Sequence, residues 1–197
     1  MKAGRPVLGK GPVPCEFMLV GSQPGYEEDR AGVPFVGKTG QELDRFLDGD
    51  RLPSRDQVYL TNIYSVYKGK EAVYTAEDLE RERPRLREEI ARVRPKLIIT
   101  LGREAARFFL GDIDLEDTHS IPWQWPQDPK VTIFVIVHIA AGLRNPESAA
   151  LVTYGFEQLA AFLDGSLPER KLYDDPYPNP VYSLVRGKDV CSVLQRY

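Results

Sequence analysis

The chain contains 197 residues, of which 42% are hydrophobic and 28% are charged. These proportions are typical of a soluble globular protein, and the length fits one generous domain followed by a tail. The formal net charge of -3 gives no support to nucleic-acid binding by the molecule as a whole, but it leaves room for a basic cleft on an acidic body.

The N-terminal quarter of the chain predicts one buried strand that opens into a tight loop. Residues 1–14 are rich in Gly and Pro and predict a surface arm. The apolar run within 15–21 predicts the first strand, and a Gly/Pro loop at 21–25 follows it directly. Residues 38–48 carry apolar side chains at helical spacing, with Thr39 as the candidate cap.

A second strand and a long helix are predicted next. Residues 58–62 predict a strand that delivers Asn62 to its end. Residues 64–74 predict a loop whose interleaved Tyr and Lys side chains suit either stacking on nucleic acid or simple solvation. A Thr with an Asp three residues later marks the start of a helix over 75–93. Pro84 predicts a kink in this helix or its division into two short helices.

Two further core strands are predicted in the second half of the chain. Residues 96–101 form a continuous apolar run, as in strands of a parallel sheet that are buried on both faces. A helix is predicted over 102–109. Residues 111–130 contain two Trp and three Pro and predict irregular structure. Residues 132–137 predict the last strand, which ends at His138.

The order of these elements predicts the fold class. Asn145 and the Pro after it predict the start of a final amphipathic helix that reaches residue 163. Strand and helix therefore alternate four times, which predicts an α/β fold: a three-layer α/β/α sandwich with a central, mainly parallel four-stranded sheet. We assign residues 1–163 to this domain and residues 164–197 to a C-terminal extension of unknown role.

Cysteine content and hydropathy limit the location of the protein. The two cysteines, Cys15 and Cys191, suggest neither a disulfide framework nor a four-thiolate cluster, and we interpret Cys15 as a small core residue. No apolar run approaches the roughly 18 residues of a membrane span. The N-terminus lacks the apolar segment of a signal peptide. We therefore expect a reducing, cytoplasmic compartment, in the organism's own cell or in that of a host.

Polar side chains follow three of the predicted strands. Ser22 and Gln23 come after the first, Asn62 ends the second, and His138 follows the last. Because the carboxyl ends of parallel strands meet at one edge of a sheet, we expect these residues to converge in a ligand site. Taken singly, each has a structural alternative: Asn62 could cap a turn, and His138 could be a hydrogen-bonded core histidine.

Four segments resemble, in order and in spacing, motifs of the uracil-DNA glycosylase superfamily, and among its branches the thermophile-type family four, which carries an iron–sulfur cluster. The resemblance covers about residues 9–163. The segments are Gly21-Ser22-Gln23-Pro24-Gly25 with the stretch that follows to Gly37, then Tyr59-Leu60-Thr61-Asn62-Ile63, then residues 94–106, and then His138-Ile139-Ala140-Ala141-Gly142-Leu143-Arg144-Asn145-Pro146.

The resemblance implies an enzyme that flips uracil out of DNA and hydrolyses its N-glycosidic bond, which leaves an abasic site. It implies that the flipped base lies beside Gly21, stacks on Phe35 and is read by the donor and acceptor of the Asn62 amide. It also implies that a neutral His138 donates to the base and stabilises the departing anion.

The positions that handle water depart from the family pattern. Family four has Glu where this chain has Ser22, and Gln23 can orient water but cannot deprotonate it. The loss of a general base lowers the reaction rate by about 10²–10⁴-fold. We therefore expect either weaker activity or a substitute carboxylate, which is Glu28, where the family places a functional carboxylate, or Asp29. Gly25 stands where another branch uses Tyr to exclude thymine, so selectivity has another source or is relaxed.

The resemblance also implies contacts with DNA that contains uracil or a modified base, made by a monomer. Leu143 is the candidate wedge that fills the vacated stack, and Arg144 is a phosphate contact. Lys38 and Arg103 are further candidates for a basic cleft. Backbone amides at the start of the helix after Gly102 could bind another phosphate.

The cluster of the related family is predicted to be absent. Relatives carry four cysteines, but here the N-terminal pair is missing, and Val66 and Glu82 stand at the other two aligned positions. We predict no iron–sulfur cluster, no metal and no other cofactor, so the 64–84 segment must be held in another way.

Two other functions remain open beside a monofunctional glycosylase. Ser22 in place of Glu suggests a catalytically weakened homologue that binds uracil or DNA. The acidic net charge suggests, more weakly, a hydrolase that acts on a free nucleoside or nucleotide. Salt dependence separates the last of these, because a DNA binder loses affinity steeply as salt rises.

Overall fold

The computed structural model describes residues 4–69 and 72–167, and this part of the chain is an α/β fold with one central sheet. The strands are β1 (Phe17–Gly21), β2 (Val58–Asn62), β3 (Leu97–Leu101), β4 (Pro122–Trp125) and β5 (Asp128–Ile136). The helices are α1 (Tyr26–Ala31), α2 (Lys38–Leu47), α3 (Ala76–Val93), α4 (Arg103–Leu110), α5 (Leu115–Thr118), α6 (Ile139–Gly142) and α7 (Pro146–Leu163). A 3₁₀ helix, Arg55–Gln57, leads into β2.

The sheet brings the predicted strand ends to one edge. Its strand order is β2-β1-β3-β5-β4, and the first four strands run parallel. The register pairs Gly21 with Asn62 and Leu101 with Ile136. The carboxyl ends of these four strands therefore lie side by side, which is where open parallel sheets bind ligands.

Alternate strand residues pack on opposite faces of the sheet, as the period of two in a strand requires. Ile98 of β3 belongs to a cluster with Leu86 and Ile90 of α3 and with apolar residues of α4. Its neighbour Ile99 belongs to a second cluster with side chains of α2 and α7, such as Leu159. Helices thus cover both faces, and this explains why β2 and β3 are buried at every position.

The sheet has one strand more than the sequence predicts. β4 and the first part of β5 lie within 111–130, where irregular structure is predicted, and β4 runs antiparallel to β5. The prolines explain the error. Pro122 takes the first position of β4, at the edge of the sheet, where a missing N–H interrupts no ladder. The four-strand prediction is wrong, whereas the mainly parallel sheet is confirmed.

Helix α3 begins where the sequence predicts, but its interior differs from the prediction. The hydroxyl oxygen of Thr75 accepts the N–H of Asp78 at 3.2 Å, as the capping signature indicates. The helix then continues through Pro84 to Val93 as one element, so the division into two helices is wrong. The apolar face of α3 is buried against the sheet, and this packing outweighs the single hydrogen bond that a proline removes.

The N-terminal arm is attached to the sheet along part of its length. Lys10 and Leu60 exchange two backbone hydrogen bonds of 2.9 and 2.8 Å, and Val7 N donates to Ser65 O at 2.7 Å. The Val7 side chain is 1% exposed. The prediction of a surface arm is therefore wrong at Val7, whereas Leu8 and Lys10 are exposed as predicted even though the backbone of Lys10 is paired with the sheet.

Helix ends elsewhere follow local signals in most cases. The side-chain oxygen of Asn145 accepts the N–H of Ser148 at 2.7 Å and caps α7 as predicted. The cap of α2 is Gly37, so the prediction of Thr39 is wrong. Of the predicted extension 164–197, all but the first four residues lie outside the described part. Among the helices in the described part, none has the length and apolar character needed to cross a membrane.

Candidate functional site

A pocket of about 590 Å³ opens at the carboxyl edge of the four parallel strands. Its volume is typical of small-ligand sites. Nine of the twelve predicted site residues line it: Ser22, Gln23, Gly25, Glu28, Phe35, Asn62, Arg103, His138 and Arg144. Gly21 packs against two of these residues, whereas Lys38 and Leu143 lie outside the lining.

Glu28 joins the two loops that form one wall of the pocket. It lies in α1, a short helix that the sequence pattern did not predict. Its buried carboxylate accepts the backbone N–H groups of Gly25 at 2.9 Å, Val36 at 3.1 Å and Gly37 at 2.8 Å. Hydrogen bonds to a charged acceptor are strong. The carboxylate therefore fixes the loop after β1 against the loop that carries Phe35.

The backbone of Phe35 is held in an uncommon conformation. Its φ of 55° lies in the left-handed region, which costs energy for a residue with a side chain. Arg55 donates to the carbonyl oxygen of Phe35 at 2.8 Å and helps to hold this turn. The aromatic ring is 5% exposed and lies so close to Gly21 that a Cβ there would come within 2.7 Å of its Cζ.

Asn62 presents an amide without a protein partner at the end of β2. The residue is 3% exposed and lines the pocket, and its side chain makes no hydrogen bond to any residue within 4–69 and 72–167. Its Oδ1 lies directly over Gly21, where any Cβ would overlap it. The amide offers both an acceptor and a donor to the pocket, so Asn62 is well suited to bind a ligand there.

His138 is a neutral hydrogen-bond donor. Its Nδ1 accepts the N–H of Ala140 at 3.1 Å, which places the ring proton on Nε2. Burial and the nearby Arg144 guanidinium lower the pKa of His138 from 6.5 to about 4. The ring is therefore uncharged near pH 7, and its Nε2–H has no acceptor among residues 4–69 and 72–167, on a residue that lines the pocket.

Cationic side chains stand at the rim of the pocket. Arg103 is the exposed first residue of α4, and Arg144 is exposed just after α6, with its Nε donating to Ala140 O at 2.9 Å. Lys38, also exposed, begins α2, and Leu143 is 50% exposed. The pocket thus combines an apolar floor, neutral polar groups and exposed cations, as an anionic ligand with a flat polar part requires.

The family comparison agrees with this geometry. A family model for the uracil DNA glycosylase superfamily matches residues 8–160, which include all four parallel strands and the pocket. The chain belongs to this superfamily. The resemblance inferred from the four sequence motifs is thereby confirmed.

Three proteins similar to this superfamily member share the name type-4 uracil-DNA glycosylase. The chain is 33% identical over 150 residues to the type-4 uracil-DNA glycosylase of Archaeoglobus fulgidus, and the match covers 72% of this chain and 73% of that protein. It is 32% identical over 168 residues to the type-4 enzyme of Pyrobaculum aerophilum, with coverages of 82% and 83%. It is 29% identical over 161 residues to that of Sulfurisphaera tokodaii, with coverages of 78% and 72%.

The residues of this glycosylase-superfamily member do not fit a four-thiolate iron–sulfur cluster. The chain has two cysteines, of which Cys191 lies outside the described residues. Cys15 is buried, and its Sγ lies 3.1 Å from the carbonyl oxygens of Phe17 and Gln57, as a small core residue would. Among residues 4–69 and 72–167, no three His, Cys, Asp or Glu side chains group as metal ligands do.

Eight of the seventeen residues that line the pocket are not among the predicted site residues, and three of these eight carry an aromatic or charged side chain. Tyr26 is 61% exposed with the Arg30 guanidinium 5.7 Å from its ring centre, and an aromatic next to a cation is a recognisable stacking signal. Tyr67 lies in the Tyr/Lys-rich loop for which stacking is one of two alternatives. Glu104 gives no signal, because an acid in the first turn of a helix is common.

Proposed function

We propose that this protein is a monofunctional DNA glycosylase that excises uracil, or a related modified pyrimidine, from DNA and leaves an abasic site. One observation carries the proposal: the neutral His138 donor and the unpartnered Asn62 amide line one pocket with Phe35. The names of the type-4 relatives support uracil as the base. We assign the activity to a three-layer domain over residues 1–163 that acts as a cytoplasmic monomer without a cofactor.

The pocket would read the base through shape and hydrogen bonds. The flipped pyrimidine stacks on the ring of Phe35, and Gly21 and Gly25 leave room for it. The Asn62 amide donates to O4 and accepts from N3–H. Cytosine presents the opposite pattern at these two atoms, so it would leave buried polar groups unpaired.

His138 would stabilise the leaving base without protonating it. As the bond between C1′ and N1 breaks, negative charge collects on the pyrimidine and in part on O2. The Nε2–H of His138 donates to O2 and stabilises that charge in a site from which water is largely excluded. Because the pKa of His138 is about 4, the ring acts as a neutral donor and not as a general acid near pH 7.

Gln23 would orient the attacking water, with the Ser22 hydroxyl beside it. The water delivers hydroxide to C1′, and its proton ends on the released base. Glu28 has three backbone N–H partners, so it serves mainly to hold the Gln23 loop. When departure of the base precedes attack, orientation of water contributes more than its deprotonation does.

Contacts with DNA would be made at the rim. The exposed side chains of Arg103, Arg144 and Lys38 would bind phosphates, and the exposed Leu143 would fill the space that the flipped base vacates. Among the described residues, no lysine lines the pocket, which supports attack by water over a Schiff-base route.

The direct test is base excision on an end-labelled oligonucleotide with one uracil, used single-stranded and opposite G or A. We expect wild type to produce alkali-labile sites. His138→Ala removes one transition-state donor and should lower the single-turnover rate by about 10²–10³-fold. His119→Ala is the matched control, because this second histidine does not line the pocket. Equal rates for wild type and His138→Ala would contradict the proposal, as would wild type without cleavage.

A second function, recognition of uracil in DNA without excision, is favoured by one observation. Ser22 stands at the loop position where the related family has Glu, and the nearby Glu28 carboxylate is engaged by backbone N–H groups. Under this alternative, wild type binds uracil-DNA at a stoichiometry of one without cleavage, and Ser22→Glu gains excision. Efficient turnover by wild type would exclude it.

A further inference from the structure

A buried ionic cluster lies behind the pocket and has no part in the proposed chemistry. It consists of Glu82, Arg85 and Glu89, all on the face of α3 that meets the end of β2; below it is called the α3 ion cluster. The side chains are 15%, 18% and 7% exposed, respectively. Charged groups are rarely buried to this extent without a specific set of partners.

Arg85 binds the backbone carbonyls of Asn62, the proposed base-reading residue, and of the residue that follows it. One terminal nitrogen donates to the carbonyl oxygen of Asn62 at 2.8 Å and to that of Ile63 at 2.7 Å. Its Nε donates to Glu82 at 2.6 Å, and its other terminal nitrogen lies 3.0 Å from Glu89. The guanidinium is therefore hydrogen-bonded to Glu82 and to two consecutive carbonyls. Its contact with Glu89 is an ion pair only, because that terminal nitrogen has no hydrogen-bond partner among the described residues.

The two carboxylates also bind β2 and the loop after it. Glu82 accepts both the backbone N–H of Ser65 at 2.9 Å and its hydroxyl at 2.6 Å. Glu89 accepts the hydroxyl of Thr61 at 2.7 Å. Burial alone would raise the pKa of Glu82, but the bonds from Ser65 and Arg85 outweigh it and lower that pKa, so the group stays ionised.

The same backbone segment is also hydrogen-bonded to the loop after β1, which carries Gln23. The N–H of Ile63 donates to Gly21 O and that of Tyr64 to Ser22 O, both at 2.9 Å. Consecutive peptides after Asn62 thus bind Arg85 through their carbonyls on one side and the loop after β1 through their N–H groups on the other. A shift of Arg85 would move both the base-reading amide and the loop of Gln23.

Stability alone does not account for such a cluster. Apolar residues of similar volume often replace buried ion pairs at no loss of stability. A guanidinium, in contrast, has a planar fork of donors that can fix several acceptors at once, which an apolar group cannot do. Here one terminal nitrogen binds both carbonyls, and the other arms of the fork reach Glu82 and Glu89 at the same time, which fixes where that nitrogen lies.

We propose that Arg85, held by Glu82 and Glu89, is the positioning residue for Asn62, and that the α3 ion cluster holds the segment after β2 without an iron–sulfur cluster. The role of Asn62 as base reader rests on the proposed function, whereas the positioning of its amide does not. The family resemblance puts Glu82 at one of the cysteine positions, and in this protein its carboxylate binds the backbone N–H of Ser65.

The first test needs no activity. In ¹⁵N-labelled free protein, the side-chain amide resonances of Asn62 are assigned by their loss in Asn62→Ala. Arg85→Lys keeps the charge and the fold but loses the fork, and it should shift or broaden these resonances. Arg87→Gln, at an exposed position on the same helix, should leave them unchanged. Unchanged Asn62 resonances in folded Arg85→Lys would overturn the proposal.

The second test asks whether Arg85 acts through Asn62. Arg85→Lys should lower the single-turnover excision rate at saturating DNA by roughly 10–100-fold, as a small misplacement of a reading group does. In an Asn62→Ala background the same change should alter the rate by less than about twofold. Fully additive losses would indicate general destabilisation and overturn the positioning role. If wild type excises nothing, the proposed function fails, and the amide resonances still decide the positioning.

The third test concerns the cluster. Wild-type protein is unfolded in guanidinium with a strong iron chelator and refolded without iron or sulfide. We expect it to regain its original Tm and the original Asn62 amide resonances. Recovery that depends on added iron and sulfide would overturn the claim that the α3 ion cluster replaces the metal centre.

Discussion

At the scale of single residues, neighbouring groups fix the conformation or the protonation of the side chains that form the site. Asn62 and Phe35 both lie against the Cα of Gly21, and a backbone bond to Nδ1 sets the tautomer of His138. These restraints do not involve the ligand. The site is therefore preorganised, and small changes next to it should affect binding and chemistry more than they affect the fold.

Gly21→Ala should abolish the reading of the base while the protein stays folded. A Cβ at this position would overlap Asn62 Oδ1 and come within 2.7 Å of the Phe35 ring, so one of the two must move. We expect at least about a 100-fold lower excision rate. Gly49→Ala is the control, since its Cβ would meet nothing closer than 3.9 Å. Wild-type rates in Gly21→Ala would contradict the proposed positions of both side chains.

The stability of the protein should fall in acid partly because of His138. Its pKa is about 4 in the folded protein and 6.5 as the reference for the unfolded chain. Between these values the unfolded state binds the proton and the folded state does not, so this contribution is present above pH 6.5 and is lost as the pH falls towards 4. When the pH is lowered from 7 to 5, the free energy of unfolding should fall by about 2 kcal/mol more in wild type than in His138→Gln.

Chemical denaturation of both variants at the two pH values measures this difference. Parallel losses in wild type and His138→Gln would show that His138 titrates normally and would weaken its assignment as a buried neutral donor.

At the scale of elements, α3 does more than cover one face of the sheet. Its apolar stripe packs into the core, and its buried charged residues hold the end of β2. One proline interrupts its hydrogen-bond ladder without ending it. The helix is thus stabilised by tertiary contacts and retains a local defect that can be removed.

Pro84→Ala should stabilise the protein. Pro84 is exposed in the interior of α3, and alanine there restores an N–H donor and a better helix propensity. We expect a gain of about 1–3 kcal/mol in the free energy of unfolding. Glu88→Ala, at another exposed position of α3, should change it by less than about 0.5 kcal/mol. A loss of stability in Pro84→Ala would mean that the proline shapes the helix in a way that its neighbours require.

At the scale of the whole molecule, charge is distributed unevenly. The chain carries a net charge of -3, yet Arg103 and Arg144 are exposed residues that line the pocket, and Lys38 is exposed at the start of α2. A local cluster of cations on an acidic body favours one orientation of a polyanion and opposes binding elsewhere. DNA affinity should therefore come from few phosphate contacts.

The salt dependence of DNA binding measures the number of these contacts. With about three phosphates neutralised, log Kd plotted against log salt should have a slope of about 2 to 3. Arg103→Gln and Arg144→Gln should each lower the slope by about 1, whereas Arg45→Gln, an exposed cation away from the pocket lining, should leave it unchanged. Fluorescence anisotropy with a labelled uracil oligonucleotide gives these slopes. A flat dependence in wild type would instead support a small nucleoside as substrate.

The sequence by itself predicted the four parallel strands, the caps at Thr75 and Asn145, and the polar residues at the strand ends. Apolar runs and capping signals act over a few neighbouring residues, so they can be read locally. Local signals failed at Pro84 and within 111–130, because packing and an edge position in the sheet tolerate prolines that propensity excludes.

The tertiary structure alone decided what the site residues can do. The neutral state of His138 follows from its burial, the unpartnered amide of Asn62 from its surroundings, and the roles of Glu28 and Arg85 from backbone groups that they bind across the fold. Burial and hydrogen bonding between residues distant in sequence set these properties, and no local pattern contains them. The sequence therefore determined which residues come to the edge of the sheet, and the fold determined their chemistry.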